Sequence, residues 1–169
     1  RRVLFRSQAY ALKAIETGAQ RAQQMIRDLL SYSRADNQSL NVTSFDLREL
    51  VEEIKEDFQG LIRQYKAQVD TFGDNPIFAD RSLMKHVFQN LIQNAIVYSR
   101  PEEIPKIKVV AESKSDGFMY IEVSDNGMGI AEQDLELVFR PFKRLDKKTP
   151  GTGIGLAICS RIIERHGSK

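Results

Sequence analysis

The stretch KIKVVAESKSDGFMYIEVSDNGMGI, residues 106–130, decides the fold class. Ile107, Val109 and Ala111 alternate with Lys108, Val110 and Glu112, the period of a strand with one buried face. Ser115, Asp116 and Gly117 form a hairpin-like turn, and Met119, Ile121 and Val123 alternate in the returning strand. Directly after that strand come Asp125-Asn126-Gly127-Met128-Gly129-Ile130. A carboxylate at a strand end can accept a hydrogen bond from a ligand amino group, and two glycines let a ligand approach the backbone. A tight turn that merely needs glycine fits the same residues.

Helical spacing dominates on both sides of this hairpin. Upstream, Ser44 to Leu50 open a helix. Asp46 can cap it, Glu49 holds the capping-box position, and Phe45 can staple against Leu50. Leu47, Leu50, Ile54, Phe58, Leu61 and Tyr65 mark its buried face. Residues 68–72 read as a strand, with Val69 and Thr71 on one side. Asp80 can cap the next helix, whose core face carries Leu83, Val87, Phe88, Leu91, Ile92 and Ala95. Downstream, Leu135, Val138 and Phe139 return to helical spacing, and a last helix covers residues 153–165. Helix, helix, strand, helix, strand, strand, helix, helix is the resulting order. It predicts an α+β fold, a two-layer sandwich of a mixed β-sheet covered on one face by helices.

The N-terminal part is different. Leu12, Ile15, Ala19, Ala22, Ile26, Leu29 and Ser33 are spaced alternately three and four apart, a heptad seam that predicts one long bundle-forming helix. An ordinary amphipathic helix packed on the neighbouring domain fits the same spacing. Residues 35–39 are a polar break. RRVLFRS, residues 1–7, resembles a translated sequencing-adapter end and is expected to be a scar, outside the fold.

Composition excludes several classes. Hydrophobic residues at 41% and charged residues at 28% suit a globular domain and argue against wholesale disorder. A net charge of +2 gives no reason to expect nucleic acid or an anionic membrane as partner. The longest charge-free stretch, residues 87–99, is too short and too rich in amides to span a bilayer. Cys159 is the only cysteine, so no intramolecular disulfide forms, which fits a reducing, cytoplasmic setting.

Three further stations carry chemistry. Asn90 and Asn94, in Asn90-Leu91-Ile92-Gln93-Asn94-Ala95, share a helix face. An amide oxygen is a hard neutral ligand suited to Mg²⁺, though a pair of solvated amides reads the same way. Phe139-Arg140-Pro141-Phe142 precedes Lys143, Arg144, Lys147 and Lys148, cations that can reach phosphate or form a solvated basic loop. Gly151-Thr152-Gly153-Ile154-Gly155-Leu156 opens the last helix, where free N–H groups and the helix dipole favour an anion. Its GxGxG spacing is neither a P-loop nor the dinucleotide fingerprint.

Together these residues resemble the ATP-binding domain of histidine kinases, within the wider Bergerat-fold ATPases. NLIQNA resembles the N box and DNGMGI the first glycine box. FRPF resembles the F box, and PGTGIGLAIC with RIIERHG the second glycine box. The resemblance covers nearly everything from Leu40 onward. MIRDLLSYSRADN is similar to the second helix of the dimerisation and phosphotransfer domain, which favours the bundle reading of the first helix. FKRL and GTGIGLAIC are similar in style to phytochrome-like or PAS-linked kinases. The implied organisation is residues 8–38 as that helix and residues 39–169 as the ATP-binding catalytic domain, its last strands missing.

The resemblance implies ATP and Mg²⁺ as cofactors. Asp125 holds the adenine amino group, Asn94 coordinates Mg²⁺, and Asn90 lies beside the phosphates. Tyr98, Ile130 and Leu156 line the adenine, and Gly127 and Gly129 admit the nucleotide. Lys143, Arg144, Gly151, Thr152, Gly153 and Gly155 belong to the lid over the phosphates. It also implies a homodimer through the helix bundle and a response-regulator receiver domain as partner, with no nucleic acid and no direct membrane contact by this segment.

Departures from the family pattern qualify this. Where Lys or Arg commonly stands three residues after the second N-box asparagine, this chain has Val97, which puts one phosphate contact in doubt; Arg100 or a lid lysine could substitute. The lid is short. No histidine sits in a phosphoacceptor motif. His86 lies within the N-box helix, and His166 closes the last helix, where a cation suits the dipole. Autophosphorylation by this chain alone is therefore not expected.

Rival functions are a hydrolysing ATPase, an anti-sigma serine kinase and a non-catalytic, degenerate module. Hydrolysing relatives carry a glutamate four residues before the Mg²⁺-binding asparagine. Here that position is Asn90, and an amide cannot take a proton from water. The dimerisation helix speaks against the serine kinase, and Val97 keeps the degenerate reading open.

Overall fold

Alternation and helical spacing place the apolar side chains on one face of each element, and those faces meet in one core. The computed structural model describes residues 39–73, 76–115, 117–146, 149 and 151–167, together with Leu12, Ile15, Ala19, Gln23 and Ile26. The five isolated residues are helical, in line with the upstream helix. The rest of that helix, residues 1–7, Lys147 and Lys148 lie outside the described residues.

The elements run β1 (Val42–Phe45), α1 (Leu47–Asp57), α2 (Gln59–Tyr65), β2 (Gln68–Gly73), β3 (Ile77–Asp80), α3 (Arg81–Val97), β4 (Lys106–Ser113) and β5 (Met119–Asp125). A 3-10 turn (Glu132–Asp134) and α4 (Gly155–Arg165) follow. β4 lies between β2, which it pairs in parallel, and β5, which it pairs antiparallel with Ile107 opposite Asp125. β1 and β3 form a separate antiparallel ribbon. Helices pack on the inner sheet face. Val69, Ile107, Val109 and Ala111 meet Leu50, Ile54, Phe88, Ile92 and Ile96 there. The outer face carries Lys108, Glu112 and the half-exposed Phe72 and Tyr120. Lys108 lies 5.1 Å from the Phe72 ring centre and Lys114 4.1 Å from that of Tyr120, so cations shield these exposed rings. The expected α+β sandwich is the fold observed.

Caps fall where the sequence puts them. The Asp46 carboxylate accepts from the N–H groups of Arg48 and Glu49, and Phe45 and Leu50 are buried in the same core. Asp80 does the same for α3 through Ser82 and Leu83. Among the described residues Asp80 is the one buried polar side chain. Burial alone raises its pKa. Hydrogen bonds from the Asn41 N–H, the Ser82 hydroxyl and the Leu83 and Ser82 N–H groups outweigh that and hold the carboxyl below the ordinary aspartate range.

Five features depart from expectation. The ribbon β1–β3 was not anticipated: each strand is four residues long, too short for alternation to declare itself. Ser44 and Phe45 end that strand, and the helix begins after Asp46. The single helix expected through Tyr65 is two, broken at Phe58. Residues 135–139 form turns without a helix, because Leu135 and Phe139 stay about half exposed and no core face holds them. The last helix starts at Gly155, two residues later than its glycines suggested.

Candidate functional site

The site is built around the C-terminal half of α3. This helix is buried on two sides, against the sheet through Phe88, Ile92 and Ile96, and against α4 through Val87 with Ile154, Ile158 and Ile162. Its third side carries Asn90 and Asn94, both half-buried, one turn apart. Asn90 Nδ2 donates to the His86 carbonyl at 2.9 Å, which aims its Oδ1 outward from the helix. The Asn94 side chain has no hydrogen bond among the described residues. Tyr98 caps the helix, its N–H donating to the Asn94 carbonyl at 2.8 Å.

On one side, the loop after β5 folds against that helix end. The Gly127 N–H donates to Asp125 Oδ1 at 2.7 Å, fixing the carboxylate and leaving Oδ2 for another donor. The Met128 N–H donates to the Tyr98 carbonyl at 3.1 Å. Gly127 is buried, and a Cβ there falls 2.6 Å from Asp125 Oδ1 and 2.9 Å from the Tyr98 oxygen, so only glycine fits. Asp125, Gly127 and Tyr98 are thus brought together. Gly129 and Ile130 lie on the exposed outer part of the loop.

On the other side, α4 begins without a side-chain cap, which leaves its first N–H groups without intrahelical partners. A Cβ on Gly155 falls 2.4 Å from Asn90 Oδ1, so the second glycine box meets the N box by near contact of backbone and amide. Half-buried Leu156 follows it. The Thr152 hydroxyl accepts from the Ile154 N–H at 3.4 Å. Gly153 accepts from the Phe142 N–H at 2.8 Å, which ties the F box to the glycines. Gly151 is exposed, with no neighbour crowding it.

Arg100 Nε donates to the Gly127 carbonyl at 3.1 Å and its guanidinium lies 3.7 Å from Glu103, so it braces the first glycine loop. Arg144 Nη2 donates to the carbonyls of Asp146, at 3.1 Å, and Thr149, holding the lid's own backbone. Lys143 is exposed, and its ammonium has no partner among the described residues.

Sequence reasoning missed two residues here. Asn126 Oδ1 accepts from the Lys106 N–H at 2.8 Å and its Nδ2 donates to the Ile104 carbonyl at 3.0 Å, fastening the loop between α3 and β4. The motif drew attention to its neighbours Asp125 and Gly127, although an asparagine in a turn commonly bonds backbone. His166 is the second. Its Nε2 accepts from the Asp80 N–H at 3.0 Å, and its Nδ1 lies 2.8 Å from the Ile162 carbonyl. Those partners fit the ring with its proton on Nδ1, a structural role at the end of α4. Cys159 is buried as expected, and burial pushes its thiol up to about 12, so it is inert.

An uncapped helix start, paired amides and a braced carboxylate around one helix end can hold an anion, a hard cation and an amino group respectively. Residues 79–169, more than half of the chain, match the family of histidine kinase-, DNA gyrase B- and HSP90-like ATPases, and the chain belongs to that family. It is 36% identical over 152 residues to the phytochrome-like protein Cph1 of Synechocystis sp., covering 89% of this chain and 20% of that protein. With the sensor histidine kinase CpxA of Escherichia coli it shares 33% identity over 163 residues, 92% of this chain and 35% of that protein. A solved structure of the histidine kinase ThkA in complex with the response regulator protein TrrA is 31% identical, with a TM-score of 0.68 over 92% of this chain and 43% of that one. The chain thus spans only 20% of the one curated relative and 35% of the other. No described helix is long and apolar enough to cross a membrane.

Proposed function

We propose that this chain is the ATP-binding kinase region of a two-component sensor histidine kinase, residues 8–38 forming part of its dimerisation domain and residues 39–169 its catalytic domain. The observation that carries the reading is the convergence of both glycine boxes on α3, Gly155 against Asn90 and Gly127 between Asp125 and Tyr98. Asp125 Oδ2 accepts from the adenine amino group, with Tyr98, Ile130 and Leu156 as apolar lining. Gly127 and Gly129 give the base room. The uncapped start of α4 and Lys143 receive phosphate oxygens, with Gly151, Thr152 and Gly153 shaping the lid above them.

The donor set fits Mg²⁺. Asn94 offers a free, half-buried amide, Asn90 lies one turn away, and phosphate oxygens supply the remaining hard ligands. Bound there, the ion neutralises charge on the transferring phosphoryl group. The protein's own work is to hold the nucleotide in line with a histidine outside this chain, from which the phosphoryl passes to an aspartate of a response regulator. The absence of a general base at Asn90 favours transfer over hydrolysis. Leu12, Ile15 and Ile26 are 67%, 69% and 58% exposed, an uncovered apolar stripe that supports pairing with a second copy.

The degenerate-module reading is favoured by one observation, that Arg100 and Arg144 are both committed to backbone carbonyls while Val97 offers no charge. Calorimetric titration with Mg-ATP separates the two. Saturable binding is expected, and Asp125→Asn is expected to weaken it about tenfold or more, the worth of a hydrogen bond to a charged group. A folded wild-type chain that binds no nucleotide contradicts the kinase reading. Rapid ATP hydrolysis without an acceptor overturns it in favour of a hydrolysing ATPase.

A further inference from the structure

Asp80 is a junction of three elements. Its Oδ1 accepts from Ser82 N–H at 3.1 Å, Ser82 Oγ at 2.8 Å and Leu83 N–H at 3.2 Å, which caps α3. Its Oδ2 accepts from the Asn41 N–H at 3.0 Å, which holds the chain entering β1. Its own N–H donates to His166 Nε2 at 3.0 Å, at the far end of α4. That donor leaves His166 no choice of form. Nε2 must keep its lone pair, so Nδ1 carries the proton and meets the Ile162 carbonyl, which also accepts from the His166 backbone N–H at 3.3 Å.

The contact pins one end of an antiparallel helix pair. From Asp80 to Asn90 the rise along α3 is about 15 Å, and from His166 back to Gly155 along α4 it is about 16.5 Å. The two lengths agree to within one residue's rise, so fixing His166 on Asp80 brings Gly155 level with Asn90, where it is found. The apolar seam of Val87, Ile154, Ile158 and Ile162 holds the helices together. Apolar contact is non-directional and sets axial position weakly. The hydrogen bond from Asp80 is directional and sets it.

We infer that His166, as the neutral Nδ1–H tautomer, is a positioning residue that sets the register of α4 on α3 and thereby holds the Gly155 backbone at the N-box amides. The inference rests on the nucleotide-binding reading for its consequence, and on the helix pair alone for its geometry.

The test compares wild type, His166→Gln and His166→Leu by calorimetry with Mg-AMPPNP, at a temperature where circular dichroism finds each folded. The glutamine amide oxygen can reach the Asp80 N–H as the imidazole Nε2 does, whereas leucine offers no acceptor. The glutamine variant is expected to bind within about twofold of wild type, and the leucine variant about tenfold or more weakly, the scale on which small misplacements act. A folded leucine variant with wild-type affinity overturns the inference and leaves His166 a merely stabilising residue. Nitrogen NMR of the wild-type ring gives a second test that needs no variant. An unprotonated Nε2 and a slowly exchanging Asp80 amide are expected, and a proton on Nε2 overturns the inference even if His166→Leu fails to fold. Absence of AMPPNP binding by wild type would instead contradict the nucleotide reading, with the ring measurement still deciding the clasp.

Discussion

The two walls of the candidate site are made in different ways. The wall around Asp125 is stitched by bonds between distant parts of the chain: Met128 to Tyr98, Gly127 to Arg100, and Asn126 to Lys106 and Ile104. In the lid, residues 139–153, bonds among the described residues join it to itself, Arg144 to Asp146 and Thr149, and the Thr149 N–H to Asp146 at 3.1 Å. Its aromatic residues Phe139 and Phe142 stay about half exposed, and Phe142 adopts a positive φ of 64°. Tertiary bonds fix the first wall before any ligand arrives. The second wall has its own internal order, joined to the fold mainly where Gly155 meets Asn90. On the proposed reading, a nucleotide base would meet a rigid seat and its phosphates a cover free to adjust.

Substitutions can break or sharpen this contrast. The largest effect is expected for Gly127→Val, which drives a branched side chain into Asp125 and the Tyr98 backbone. It should destabilise the domain by about 3 kcal/mol and abolish measurable nucleotide binding, as read by thermal unfolding and calorimetry. Asn126→Ala comes next. It leaves the Lys106 N–H and the Ile104 carbonyl without their side-chain partner and should lower stability by about 1–3 kcal/mol, visible as a lower unfolding midpoint. Arg144→Ala, which removes comparable bonds confined to the lid, should leave that midpoint within about 0.5 kcal/mol of wild type, because a loop that opens locally adds little to global stability. Equal losses for the two variants would erase the distinction between the walls.

A smaller effect concerns Asp80, beneath both walls. Its pKa is lowered in the folded state, so its stabilisation is present above the ordinary aspartate value of 3.8 and is lost as pH falls through the lowered value. Asp80→Ala should cost about 1–2 kcal/mol at neutral pH and lessen the steepness of acid unfolding below pH 3.8. An unchanged acid limb would contradict the assignment of Asp80 as the capped, charged junction.

Much of the first wall and little of the second was legible in the sequence. Alternation from Ile107 to Val123 marked a sheet buried on one face, and Asp46 and Asp80 marked helix starts, because both signals are local and periodic. The four boxes located the residues around α3 because each carries chemistry at fixed spacing. What escaped depends on distance. Asn126, Arg100 and His166 act on backbone groups 20 to 86 residues away, which no local pattern encodes. The ribbon β1–β3 escaped because two four-residue strands carry too few alternations. The turn region near Leu135 deceived for the opposite reason: its spacing is helical, but spacing without a surface to bury against does not make a helix.

The central claim is that a nucleotide bridges these two walls across α3. Amide hydrogen exchange with and without saturating Mg-AMPPNP tests it most directly. In the free protein the Gly127 and Met128 amides should already be protected and those of residues 155–157 exposed. On binding, the amides of residues 155–157 should slow by about tenfold or more, with little change at Gly127 and Met128. Saturated binding that leaves residues 155–157 unchanged, or that protects a surface away from α3, would contradict the account.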